Sequence, residues 1–98
     1  VSLGAVEMLV QALWPEDRHA AVAVPDKRKG ERIILVTTAE QAEPAAVRQY
    51  GRKAGATELM VPDTIIKVDE VPLLGTGKTD YVAAKKLALE RLGLEAAA

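Results

Sequence analysis

The chain has 98 residues, 49% of them apolar and 28% charged, which suits one soluble domain with a single modest core and is too small for a deep substrate cleft. Thirteen basic and fourteen acidic side chains leave a net charge of -1, without the basic excess expected of a general nucleic-acid binder. There is no cysteine for a disulfide or thiolate chemistry, and one histidine cannot build a metal site by itself.

No apolar run approaches the roughly 20 residues of a membrane span, and no signal-peptide pattern opens the chain, so a cytoplasmic protein is expected. Ser2 is placed to cap a helix whose Leu3, Val6, Leu9, Val10 and Leu13 share one face, and Trp14-Pro15 ends it. Trp14, at the end of that face, reads as a core or domain-contact residue. Residues 19–24 form a β-prone run, Pro25-Asp26 with Gly30 supply turn chemistry, and residues 32–37 form a second, well buried strand antiparallel to the first. His19 sits at the edge of the first strand and reads as a surface or partly packed imidazole rather than a catalytic one.

Pro44 is a good first residue for a second helix, which passes through Val47 and Tyr50 to Gly55 as its left-handed stop. Its outer face carries Arg48, Arg52 and Lys53. They either complement the negative helix end or dock an acidic partner. Residues 64–68 give a third strand, and the last helix runs from Tyr81 to Leu92 behind Thr79 or Asp80 as cap. The expected fold is α+β: a small three-stranded sheet, two strands antiparallel plus a third, packed with about three helices. The alanine-rich tail, residues 95–98, reads as disordered.

Between the third strand and the last helix lies Pro72-Leu73-Leu74-Gly75-Thr76-Gly77-Lys78-Thr79-Asp80. Gly75 and Gly77 carry no Cβ, so the backbone there can adopt left-handed angles and approach a ligand closely, with Lys78 expected at the tip of the loop. A phosphate-cradling P-loop needs a glycine where this chain has Pro72, which lacks an N–H, so that pattern fails. A plain connector with a solvated lysine is the bland alternative.

Three signals, in order, carry a resemblance. Val1-Ser2 with Val6-Glu7 resembles a Val-Ser-Pro-x-Glu-Val-Glu opening, with Leu3 in place of the proline and Ala5 in place of the first glutamate. Pro25-Asp26 with Gly30-Glu31 resembles a Pro-Asp-x-x-x-Gly-Glu turn. Pro72 with Thr76-Gly77-Lys78 resembles a Pro-x-x-x-Ser/Thr-Gly-Lys motif that carries a catalytic lysine. Together they resemble the small C-terminal domain of the adenylate-forming (acyl-activating) enzymes, which include acyl-CoA synthetases, luciferases and peptide-synthetase adenylation domains. Leu74 stands where most members have threonine, and Tyr81 where most have a basic residue. In this the last motif is most similar to bacterial acyl-acyl carrier protein synthetases that form part of 2-acylglycerophosphoethanolamine acyltransferases.

The resemblance implies that residues 1–94 form a lid over an N-terminal adenylation domain that is not in this chain. It further implies a fatty acid joined to ATP with Mg, then passed to the phosphopantetheine thiol of acyl carrier protein or coenzyme A, feeding lysophospholipid reacylation. Lys78 would be the catalytic residue, with Pro72, Gly75, Thr76 and Gly77 shaping its loop and no metal site in the domain. Lys27, Arg28 and Lys29 are a candidate docking patch for acidic carrier protein. The parent enzyme would lie in the cytoplasm, attached to the inner membrane of a bacterium. An acyl-CoA synthetase lid, or a non-catalytic carrier-docking module, are the alternatives.

Overall fold

The computed structural model describes residues 2–94 of the chain. The tail expectation, residues 95–98, falls outside the described residues. Seven elements follow one another: helix α1 (Leu3–Leu13), strands β1 (His19–Asp26) and β2 (Gly30–Thr37), helix α2 (Pro44–Lys53), a short 3-10 turn (Glu58–Met60), strand β3 (Thr64–Lys67) and helix α3 (Tyr81–Arg91). The strands form one mixed sheet in the order β1-β2-β3, with β1 antiparallel and β3 parallel to β2. The α+β fold and its three-stranded sheet are therefore as expected, while the parallel direction of β3 comes from the α2 crossover between β2 and β3.

Side chains on successive strand residues point to opposite faces, and the core divides accordingly. Ala20, Val22 and Val24 of β1, Ile34 and Val36 of β2 and Ile66 of β3 pack against Ala84, Ala88 and Leu89 of α3. Leu35 of β2 turns to the other face, where Leu9, Val10 and Trp14 meet Val47 of α2. With helices on both faces, β2 needs apolar side chains in both directions. This explains its uninterrupted run, Ile33-Ile34-Leu35-Val36. Where α2 meets α1, a Cβ added at Gly51 would make ordinary van der Waals contacts, 3.6 Å from Leu9 Cδ2 and 3.4 Å from Ala56 Cβ, so the packing there does not demand glycine.

The helix ends follow from single residues. Ser2 Oγ accepts the Ala5 N–H at 3.2 Å, and the Trp14 N–H closes the last turn of α1 on the Val10 carbonyl. Asp80, rather than Thr79, caps α3 through the Ala83 N–H at 3.0 Å. Gly55 ends α2 with φ +79°, as its position predicts.

Two local expectations need correction. Pro25 and Asp26 belong to β1, and the turn is the three-residue loop 27–29. The Ala21 N–H points away from β2, toward α1, so by alternation Pro25 also faces the free edge, where a missing N–H breaks no ladder bond. His19 is buried, not a surface group: its Nε2 lies 2.9 Å from the Trp14 carbonyl and its Nδ1 2.8 Å from Thr37 Oγ1. The carbonyl only accepts, so Nε2 carries a proton and donates to it. Trp14 is a core residue, as expected.

Candidate functional site

The lysine loop is a small hairpin. Leu73 and Thr79 form a β-bridge, the Leu74 N–H donates to the Lys78 carbonyl at 2.7 Å, and the Gly77 N–H donates to the Leu74 carbonyl at 2.9 Å. Gly77 takes φ +89°, closing a three-residue loop whose last residue is left-handed. Of the two glycines free to do so, Gly75 does not take a positive φ, because one left-handed residue is enough to reverse the chain here. Nor does Lys78 stand at the tip. The tip is Gly75-Thr76, and Lys78 opens the returning arm, with its N–H 3.5 Å from Thr76 Oγ1.

The base of the hairpin is fixed more firmly than its end. Val71 is buried against the sheet, and the Asp80 N–H donates to the Pro72 carbonyl at 2.9 Å. Leu73, Leu74, Tyr81 and Val82 are exposed apolar side chains around the hairpin, Val82 at 83%. Lys78 is exposed as well, and among the described residues no carboxylate forms an ion pair with it. The result is an exposed cation on a braced backbone, with apolar surface around it. Such a group can meet an anion brought to it without first breaking an internal contact.

The other basic groups are partly occupied. Lys29 Nζ pairs with Asp63 at 2.9 Å, and its N–H donates to Asp26 Oδ2. Lys27 and Arg28 are exposed on the same turn. Arg48 and Arg52 both reach Glu58, at 3.0 and 3.4 Å, which tethers α2 to the 3-10 turn. No hydrogen bond or ion pair joins residues 27–29 to the Lys78 hairpin among the described residues. Among the described residues no group of three or more His, Cys, Asp or Glu side chains could hold a metal ion, and no helix is long and apolar enough to cross a membrane.

One contact of the site region escaped the sequence reading, although its acceptor, Glu7, stands in the opening motif. Glu7 of α1 accepts the Tyr81 hydroxyl at 2.7 and 2.9 Å and the Ala21 N–H at 2.8 Å. The three walls of this contact line a groove of about 390 Å³ along the free edge of β1, from Leu3 and Gly4 to Lys85. Burial, the hydrogen bond to Glu7 and its negative charge raise the Tyr81 phenol above its ordinary value, against a smaller opposite pull from the Thr79 hydroxyl. A carboxylate on the flank of an amphipathic helix gives little sign of a partner 74 residues away.

Residues 14–78 match the model of the AMP-binding enzyme C-terminal domain, a match that ends at Lys78. The chain is 36% identical over 72 residues to Triostin synthetase I of Streptomyces triostinicus, covering 71% of this chain and 14% of that protein. Its fold superposes on the amide bond synthetase McbA from Marinactinospora thermotolerans with a TM-score of 0.73 at 26% identity, over 89% of this chain and 18% of that one. For MbtA of Mycobacterium smegmatis in its apo form the TM-score is 0.74 at 26% identity, over 84% of this chain and 16% of that one. The chain thus spans less than a fifth of the length of each of these relatives. None of the three is an acyl-acyl carrier protein synthetase by name.

Proposed function

The chain belongs to the AMP-binding enzyme C-terminal domain family, and from that premise we propose that it is the lid of an adenylate-forming ligase in which Lys78 serves the adenylation step. In this reading residues 1–94 close over an N-terminal adenylation domain of the same parent chain, which holds the ATP, Mg and acyl pockets. The observation that carries it is the free ammonium of Lys78 on a hairpin braced at its base, in a motif of the right order. In this reading Mg, like ATP, is bound mainly by the N-terminal domain of the parent.

Adenylation joins a carboxylate oxygen to the α-phosphorus of ATP and expels pyrophosphate. Two anions must approach, and a lysine ammonium between them offsets their repulsion. One such contact at about 4 Å is worth roughly 4 kcal/mol at an effective dielectric near 20, before desolvation is subtracted. The exposed Leu73, Leu74 and Val82 would meet the N-terminal domain as the lid closes, excluding water around the lysine. Pro72, Gly75, Thr76 and Gly77 shape the loop and do no chemistry. For the second step the lid rotates, withdrawing Lys78 and clearing a path for a pantetheine thiol.

The acyl group is proposed to be a fatty acid and the acceptor the phosphopantetheine of acyl carrier protein, with transfer to a lysophospholipid downstream, in the cytoplasm at the inner face of a bacterial membrane. Leu74 and Tyr81 in the lysine motif support this finer reading. The similarity to Triostin synthetase I and the amide bond synthetase McbA favours a second reading, a synthetase with another carboxylate and acceptor. Both readings share the first step. Lys78→Ala in the parent enzyme is expected to slow carboxylate-dependent pyrophosphate exchange by roughly 10²- to 10³-fold. Thioester formation from supplied acyl adenylate should be largely kept. Exchange at the normal rate would remove Lys78 from the reaction, and running the two half-reactions with fatty and amino acids separates the readings of substrate.

A further inference from the structure

Residues 69–94, which carry the hairpin and α3, are held to the rest of the domain chiefly by apolar burial. Val71, Ala84, Ala88 and Leu89 pack on the sheet. Alanine contacts of this kind are non-directional and leave a helix free to turn or slide slightly on the strands beneath it. Among the described residues, the Tyr81 hydroxyl on Glu7 is the one hydrogen bond that joins this segment to the remainder of the fold. It is directional, and it reaches across the free edge of β1 from α3 on one face to α1 on the other.

The acceptor is itself fixed. Glu7 sits mid-helix in α1, and its Oε2 takes the Ala21 N–H of β1 at 2.8 Å. The donor lies three residues beyond Lys78. Between them the Leu73–Thr79 bridge, the Asp80 N–H on the Pro72 carbonyl and the Asp80 cap on Ala83 make the hairpin and the first turn of α3 one body. A rotation of that turn would therefore displace Lys78.

We propose that Tyr81 and Glu7 are a positioning pair for Lys78, doing no chemistry but setting the direction from which its hairpin presents the ammonium. This rests on Lys78 being the adenylation lysine. A displacement of about 1 Å at a reacting group can cost on the order of 10²-fold in rate, and losing one of several restraints should cost less. Tyr81→Phe keeps the ring and its packing and removes only the donor.

The test is a cycle of Tyr81→Phe, Lys78→Ala and the double variant in the intact parent enzyme, read by pyrophosphate exchange. Tyr81→Phe is expected to lower kcat about tenfold, with KM for ATP and for the carboxylate unchanged within about twofold. In the Lys78→Ala background it should cost nothing further. Full activity of Tyr81→Phe, or an equal loss with and without Lys78, would overturn the positioning role and leave the lysine assignment standing. A Lys78→Ala enzyme at normal rate would remove the lysine assignment first, and this proposal with it.

Discussion

The ammonium of Lys78 and the phenol of Tyr81 lie three residues apart and differ in what surrounds them. Lys78 is exposed with no ion pair among the described residues, whereas Tyr81, 48% exposed, donates a hydrogen bond to a carboxylate held by a strand N–H. An ionised Tyr81 would lose its solvation and face the charge of Glu7, so its folded value is raised. The neutral phenol thus contributes stability that is complete below the ordinary value of 10.0 and is lost as pH rises through the higher folded value. The stability difference between the native chain and Tyr81→Phe should hold steady to about pH 9 and narrow above pH 10. Urea titrations from pH 7 to 11 would measure it, and a gap that widened at high pH would contradict the arrangement. Lys85 lines the same groove as Tyr81 and Glu7.

At the scale of elements, the hairpin depends on one left-handed glycine. Gly77 holds φ +89° with nothing within 4 Å of an added Cβ, so Gly77→Ala meets a backbone penalty and no clash. That penalty is roughly 1–2 kcal/mol. Gly75 has neither constraint, and Gly75→Ala should change stability by less than about 0.5 kcal/mol. Denaturant midpoints of the two variants give the contrast, and pyrophosphate exchange in the parent should fall for Gly77→Ala alone. The sequence pattern reached this loop through its two glycines but could not say which one bends, because both satisfy the same turn chemistry. The bend was decided by the Leu74–Lys78 and Gly77–Leu74 hydrogen bonds.

For the whole molecule, the sheet places the two basic features on separate devices, the 27–29 turn between β1 and β2 and the hairpin before α3. If the first docks an acidic carrier, charge reversal there should slow thioester formation and leave adenylation unchanged. Lys29 is a poor choice for this test, since it is paired with Asp63 and its backbone closes the turn on Asp26. Lys27→Glu with Arg28→Glu avoids both contacts, and an equal loss in the two half-reactions would count against docking. The sequence by itself determined the order of elements, the caps at Ser2 and Gly55, the buried β2 and the lysine motif. Each of these is written in local periodicity or in residues with special backbone needs. It did not determine the parallel pairing of β3, the burial of His19 between Trp14 and Thr37, or the union of Glu7 with Ala21 and Tyr81. Those depend on which groups the packed core brings together, and a polar side chain shows its partner only once the sheet has set two distant helices on either side of one strand edge.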